Sequence, residues 1–436
     1  KNVKWTYHPK HIDICKLLLK KPLKAGQTIR ISTPFFVKIP DAKFSRLGHV
    51  DQSYMITQWY PKPAVYDNKG WHAMPYLDQG EFYSEFGSYD VSITLPSNYT
   101  IGATGDLQNE EEIKRLNNLA KITDTITKFS NDMDFPVSDK EDKTLRYIQK
   151  NIHDFGWFAD KRYHVLKGEV TLPQSNKQVT LWTMFTNNEA DLWKNSIEYM
   201  HDAVYYYSLW NGNYPYNHCS AVDGTISAGG GMEYPNITVI GESGNKYFLE
   251  EVIMHEIGHN WFYGMLGSNE RVHPWLDEGL NSHNELRYMR TKYPDYNILT
   301  NAIPISIKKI LDLEDYSNKQ MMGELMYLIN AWTGKDQPIE LHSADYTEMN
   351  YGGIVYSKTA IVFDYLMSYL GEELYDKCMQ TYFQRWCFKH PQPENLRIIF
   401  EEVSGKDLSW FFEDMIKTTK QLDYSITNIR KEANNL

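Results

Sequence analysis

The stretch that most constrains the fold is Val252-Ile-Met-His-Glu-Ile-Gly-His-Asn-Trp-Phe262. His255 and His259 stand four residues apart in a run that is otherwise largely apolar. On a helix of 3.6 residues per turn they share one face, close enough to hold a single metal ion. A helix is therefore predicted over residues 248–263, and the ion that two such imidazoles suit is zinc. Glu256 sits between them, beside the metal rather than on it, where a carboxylate can take a proton from a metal-activated water. Catalytic zinc sites commonly use three protein ligands. Glu278, in Trp275-Leu-Asp-Glu-Gly-Leu280 and nineteen residues after His259, is the candidate third ligand. Taken alone, an acid in that place is equally an ordinary helix-start residue stabilised by the helix dipole.

Bulk properties limit what else the chain can be. At 436 residues it exceeds the size of one core, so two or more domains are expected. A net charge of −11 argues against nucleic acid as a partner, because phosphate-binding proteins carry basic stripes. No apolar run approaches the roughly 18 to 20 residues of a transmembrane helix, so no membrane span is expected in this chain. The chain starts at Lys1 rather than Met, which reads as a trimmed sequence. Cys15, Cys219, Cys378 and Cys387 match no zinc knuckle or redox-pair spacing and read as free structural thiols. Asn98 and Asn236 open Asn-x-Thr sequons, which matter only in a secreted eukaryotic protein.

Texture changes near residue 105. Residues 1–105, with runs such as Thr28–Lys38 and Tyr89–Leu95, read as a β-rich N-terminal domain. Residues 106–436 read as a second domain of mixed sheet and helices, an α+β chain overall. The charged segment Asn109–Leu116 is read as a hinge or surface loop, followed by strands at Lys143–Gln149 and Gln178–Phe185. Trp193, Ile197, Met200, Val204 and Tyr207 recur at spacings of four and three and form the buried stripe of a helix. Further helices are expected at 279–289, 355–370, 372–386 and 408–418.

The run from His255 to Glu278 resembles the zinc signature of the aminopeptidase N family of gluzincins. Upstream, Gly230-Gly-Met-Glu-Tyr234 is similar to that family's Gly-x-Met-Glu-Asn exopeptidase motif. Downstream, Tyr356 in Val355-Tyr-Ser-Lys358 is similar to its catalytic tyrosine. The resemblance covers residues 50 to 425, and Trp59-Tyr-Pro-Lys-Pro63 and Gly80-Glu-Phe-Tyr83 look more like bacterial members. It implies an N-terminal β domain lacking its opening strands, then a thermolysin-like catalytic domain binding one zinc ion.

The resemblance also implies roles. Glu233 would pair with the substrate's free α-ammonium, and Gly230, Gly231 and Met232, on an expected edge strand Gly229–Met232, would pair with the peptide backbone. Tyr356 would donate to the developing oxyanion. The implied partners are peptides with a free N-terminus. Tyr234 departs from the family's Asn, and Tyr60 stands where many relatives place a second group for the amine. His273 reads as structural, and Asp277 as a cap or a group orienting a ligand. The alternatives are a thermolysin-type endopeptidase, an epoxide hydrolase as in one branch of the family, and an inactive binding module. An exported or periplasmic bacterial location is expected, with cytoplasm the alternative.

Overall fold

A five-stranded sheet organises the part of the fold that carries the two histidines. Its spatial order is His164–Thr171, Gln178–Phe185, His218–Asp223, Ile237–Ile240 and Gly231–Tyr234. The three central strands run parallel, and the outer two are antiparallel to their neighbours. His218–Asp223 and Ile237–Ile240 are buried along their whole length, as strands covered on both faces must be. Gly231–Tyr234 is thereby left at the sheet edge. The computed structural model describes residues 3–42, 46–67, 69–224, 230–294, 318–420 and 426, and Gly229 of the expected edge strand lies outside them.

Helix Ser196–Trp210 covers the sheet with most of its predicted stripe, Met200, Val204 and Tyr207 being fully buried and Ile197 packed at the margin, while Trp193, also buried, lies on the separate short helix Ala190–Trp193 before it. Helix Lys246–Gly258 lies beside it, its first turn capped by the Asn245 side chain, which accepts from the backbone of Tyr247 and Phe248. Helix Glu278–Lys292 packs against Lys246–Gly258 and is tied to Ser196–Trp210 by the Tyr207 hydroxyl, which donates to Asn281. The contact depends on Gly258, because a Cβ there would collide with Asn281 Oδ1 and the Tyr207 ring and hydroxyl. The chain is α+β, as expected.

Strand pairing runs straight across residue 105. Gly87–Pro96 pairs with Asp142–Ile152, and Thr100–Ala103 with Trp157–Asp160. The change of texture there marks an inserted helix, Glu110–Asp124, and strand-rich structure continues to Asp160. That helix corrects the loop expected at 109–116. Leu116 and Ala120 face the core four residues apart, and Glu112 is buried against Arg115 and Lys143. At Thr28–Lys38 no strand forms among the described residues, because β-rich composition cannot supply the neighbouring edge that a strand requires.

Asn236 is fully buried, with its Oδ1 accepting from the Gly105 backbone at 2.9 Å, so that sequon is an internal bracket rather than a surface site. The four cysteines are free. Among the described residues no helix is long and apolar enough to cross a membrane.

Gly258→Ala is predicted to cost about 1 to 3 kcal/mol or more through overpacking. A urea midpoint unchanged from wild type would mean that the helix crossing has slack.

Candidate metal centre

His255, on the last turn of helix Lys246–Gly258, and His259, just past it, face Glu278 at the start of its own helix. The Nε2 atoms of the two histidines are 3.1 Å apart. Glu278 Oε2 lies 3.2 Å from Nε2 of His255 and 3.3 Å from Nε2 of His259. Metal–ligand bonds of about 2.0 to 2.1 Å in a tetrahedron place ligand atoms about 3.3 Å apart, so these three atoms fit three corners around one zinc-sized ion. Both histidines have their other nitrogen held. His255 Nδ1 meets Glu285 Oε2 at 2.9 Å, and His259 Nδ1 meets Asp277 Oδ1 at 2.6 Å. Such carboxylate partners fix tautomer and ring orientation and make the imidazole a better ligand. Asp277 makes no cap hydrogen bond, so of its two expected roles it fills the orienting one. His273 meets Glu340 at 2.5 Å, a structural pairing.

The remaining residues gather around this triad. Glu256 lies against Gly231, where a Cβ would come within 2.5 Å of its carboxylate, so the edge strand and the carboxylate can approach only because residue 231 is glycine. Glu233, on that strand, has its carboxylate within 4.8 Å of His259 and Asp277 ligand atoms. It is 7% exposed, and its Oε1 has no hydrogen-bond partner among the described residues. Met232 is buried beside it, and Gly230 precedes it at the wall of the cleft. Tyr356 sits on a π-helix, Tyr351–Lys358, that continues as an α-helix from Thr359, and its hydroxyl donates to Glu278 Oε1 at 2.5 Å. Wide π turns recur at functional sites. All these residues line one cleft of about 480 Å³, a size that suits a small ligand.

Burial drives the electrostatics. It raises Glu256 to about 7 against the pull of the neighbouring imidazoles, and lifts Glu233 well above the carboxylate range. Burial opposes charge on His255 too, yet hydrogen bonds to Glu278 and Glu285 outweigh it and raise His255 to about 10. For Glu278 the two imidazoles overturn burial and hold it well below its usual range.

Four residues that the sequence reading passed over belong to the site. Asn281 and Glu285 follow Glu278 at spacings of three and seven, on the same helix face, and that periodicity was their available signal. Asn281 Nδ2 donates to the His255 carbonyl at 2.7 Å, and its Oδ1 accepts from Tyr207 at 2.5 Å. Glu81 and Arg46, paired at 2.5 Å, reach the cleft from the strand-rich part, and no local pattern announces them. Tyr60 points elsewhere, to Asp154 at 2.8 Å and Tyr89 at 3.0 Å, and is not among the cleft-lining residues.

Comparison with known proteins adds an independent line. The model of the peptidase family M1 domain matches residues 195–415. Aminopeptidase M1-C of Oryza sativa subsp. japonica is 25% identical over 199 residues, 45% of this chain and 20% of that protein. Aminopeptidase N of Streptomyces lividans is 25% identical over 171 residues, 38% of this chain and 18% of the relative. The matched stretch thus spans about a fifth of these relatives' length. Among solved structures, a mutant M1 zinc metallopeptidase from Deinococcus radiodurans superposes with a TM-score of 0.63 at 14% identity, covering 97% of this chain and 83% of that one. Aminopeptidase A of Legionella pneumophila gives 0.56 at 13% identity, covering 85% and 38%.

Glu285→Gln is predicted to weaken divalent-metal affinity by about 10- to 100-fold, read by competition with a chromogenic chelator. The metal-free chain should also lose stability with rising pH. A raised His255 contributes stability that is fully present below 6.5 and lost as pH climbs through about 10. Glu256 and Asp277, raised to about 7 and about 6, act in the same direction from lower pH. In chelator, Tm is expected to fall between about pH 6 and pH 8.5, and added metal should reverse the fall because ligation displaces those protons. A flat profile would contradict the assigned proton uptake.

Proposed function

The chain belongs to peptidase family M1, and from that premise we propose that it is a zinc-dependent aminopeptidase, hydrolysing the N-terminal peptide bond of peptides. One zinc ion would be held by His255, His259 and Glu278. When bound, the ion supplies Lewis-acid polarisation of the scissile carbonyl and acidifies a water. The observation that carries the aminopeptidase reading is Glu233, whose buried and unpartnered carboxylate oxygen lies beside the metal ligands. A buried acceptor without a donor is costly, and a substrate's α-ammonium relieves that cost while setting the register of the peptide.

The other roles follow from position. Glu256, with Oε2 buried and unpartnered, is the general base that accepts the proton of the attacking water and passes it to the leaving amine. Its raised proton affinity, near 7, suits a group that must both take and give a proton near neutrality. Gly230, Gly231 and Met232 offer an edge strand to which a peptide backbone can add antiparallel. Tyr356 stabilises the negative charge developing on the carbonyl oxygen, for which its hydroxyl must leave Glu278 Oε1. The relatives named aminopeptidases support this assignment. A thermolysin-type endopeptidase would share the zinc ligands and Glu256 but has no use for Glu233.

The test compares fluorogenic aminoacyl substrates with free and acetylated amines. Cleavage confined to free amines, and lost in Glu233→Ala, is expected. Equal cleavage of blocked peptides would make the chain an endopeptidase. Tyr356→Phe should lower kcat by about 10²-fold with zinc content unchanged, the usual scale for one oxyanion donor.

A further inference from the structure

Two tyrosines line the cleft from one short element, Tyr351 and Tyr356 on the π-helix Tyr351–Lys358. At the α-helical pitch of about 100° per residue, positions five apart point about 140° away from each other. A helix closed by i to i+5 hydrogen bonds instead brings them onto one face. The two rings accordingly meet edge to face, with centroids 5.9 Å apart and planes at 71°. Tyr356 also lies nearly parallel to the His255 ring, at 6.1 Å and 22°.

Tyr351 is held from behind the lining of the cleft. Its hydroxyl donates to Glu270 Oε1 at 3.3 Å, and its ring packs edge-on against Tyr346, whose own hydroxyl donates to the Ile339 carbonyl at 2.6 Å. Glu270 is fully buried, in a segment, 268–271, that is buried at every residue. Its neighbour Arg271 joins Ser343 in donating to the Gln79 carbonyl and so fastens the cleft loop 78–81. A carboxyl out of reach of water is costly unless it is bonded, and Oε2 of Glu270 has no hydrogen-bond partner among the described residues. Burial lifts its proton affinity well above the carboxylate range, so the group is a neutral acid whose Oε1 accepts from Tyr351. None of the roles proposed above falls to it.

We propose that Glu270 is a positioning residue: by fixing the Tyr351 hydroxyl it sets the ring against which Tyr356 turns when the Tyr356 hydroxyl passes from Glu278 to the developing oxyanion. This rests on the oxyanion role of Tyr356.

The test uses the zinc-loaded full chain with Glu270→Ala, Glu270→Gln and Tyr351→Phe, each alone and combined with Tyr356→Phe. Glu270→Ala and Tyr351→Phe are each expected to lower kcat by about tenfold with KM within about twofold, the scale of one hydrogen bond and one edge-on ring contact. Tyr351→Phe decides the matter even where Glu270→Ala lowers stability. Glu270→Gln should retain most of the wild-type kcat, because its amide oxygen still accepts from Tyr351. Neither loss should appear when residue 356 is already phenylalanine, the non-additivity of groups that act as one unit. Calorimetry gives a readout without turnover. A phosphinic dipeptide analogue, tetrahedral at phosphorus, should bind Glu270→Ala and Tyr351→Phe about tenfold more weakly than wild type, and L-leucine amide should bind all three alike.

Asp277, which orients His259, also neighbours Glu270. A fall in metal affinity with Glu270→Ala that Tyr351→Phe does not share would place Glu270 in support of His259 and overturn the inference. Losses that simply add to that of Tyr356→Phe would overturn it too. A Tyr356→Phe variant as fast as wild type would remove the oxyanion role and the inference with it. Failure of the wild type to cleave any aminoacyl substrate would instead sink the aminopeptidase reading, while the phosphinic analogue still decides the positioning.

Discussion

The geometry of the site depends on one buried amide. Asn281 reaches from the helix that supplies Glu278 to the backbone of His255, and the Tyr207 hydroxyl closes the other side of the same amide. Each hydrogen bond contributes only about 1 kcal/mol net, but an amide left unsatisfied in that position costs more than it gains when paired. The two helices are thereby held in one register. Glu278 Oε2 falls at tetrahedral spacing from both histidines because the three chain segments meet at Asn281, with Gly258 leaving room for the meeting.

Around that clamp the protein concentrates carboxylates in a place where water does not shield them. Each is tolerated through a different compensation. Glu285 and Asp277 lie against imidazoles, Glu278 against two imidazoles and a tyrosine, and Glu81 against an arginine. Glu233 and Glu256 each keep a buried oxygen with no hydrogen-bond partner among the described residues, and both line the cleft, where a donor from outside can reach them.

The chemistry was legible in the sequence to the extent that it follows helical spacing. His255, Glu256 and His259 fall on one turn, and the covering helix showed itself through Met200, Val204 and Tyr207. What escaped was set by contact between distant segments. Glu81 and Arg46 come from the strand-rich part, and a one-dimensional placement beside the amine pointed instead to Tyr60, which folds away toward Asp154. Glu110–Asp124 was hidden because charge dominates its composition and its buried face is only Glu112, Leu116, Ala120 and Thr123. Thr28–Lys38 shows the opposite error, since strand composition without a neighbouring edge gives no strand. The wide turn carrying Tyr356 lies outside what a period of 3.6 can register.

The loop fastened by Arg271 has a consequence for how such proteins diverge. The stretch that matches the family domain, residues 195–415, holds the three proposed metal ligands together with Glu256, Glu233 and Tyr356. Arg46 and the wall from Asp78 to Glu81 lie outside it and reach the same cleft from the other part of the chain. One wall of the cleft therefore sits on a stretch of polypeptide that can mutate separately from the stretch holding the proposed reacting groups. A lineage can change its diet by rewriting a loop some 180 residues away from the chemistry in sequence, while the reaction itself stays as inherited.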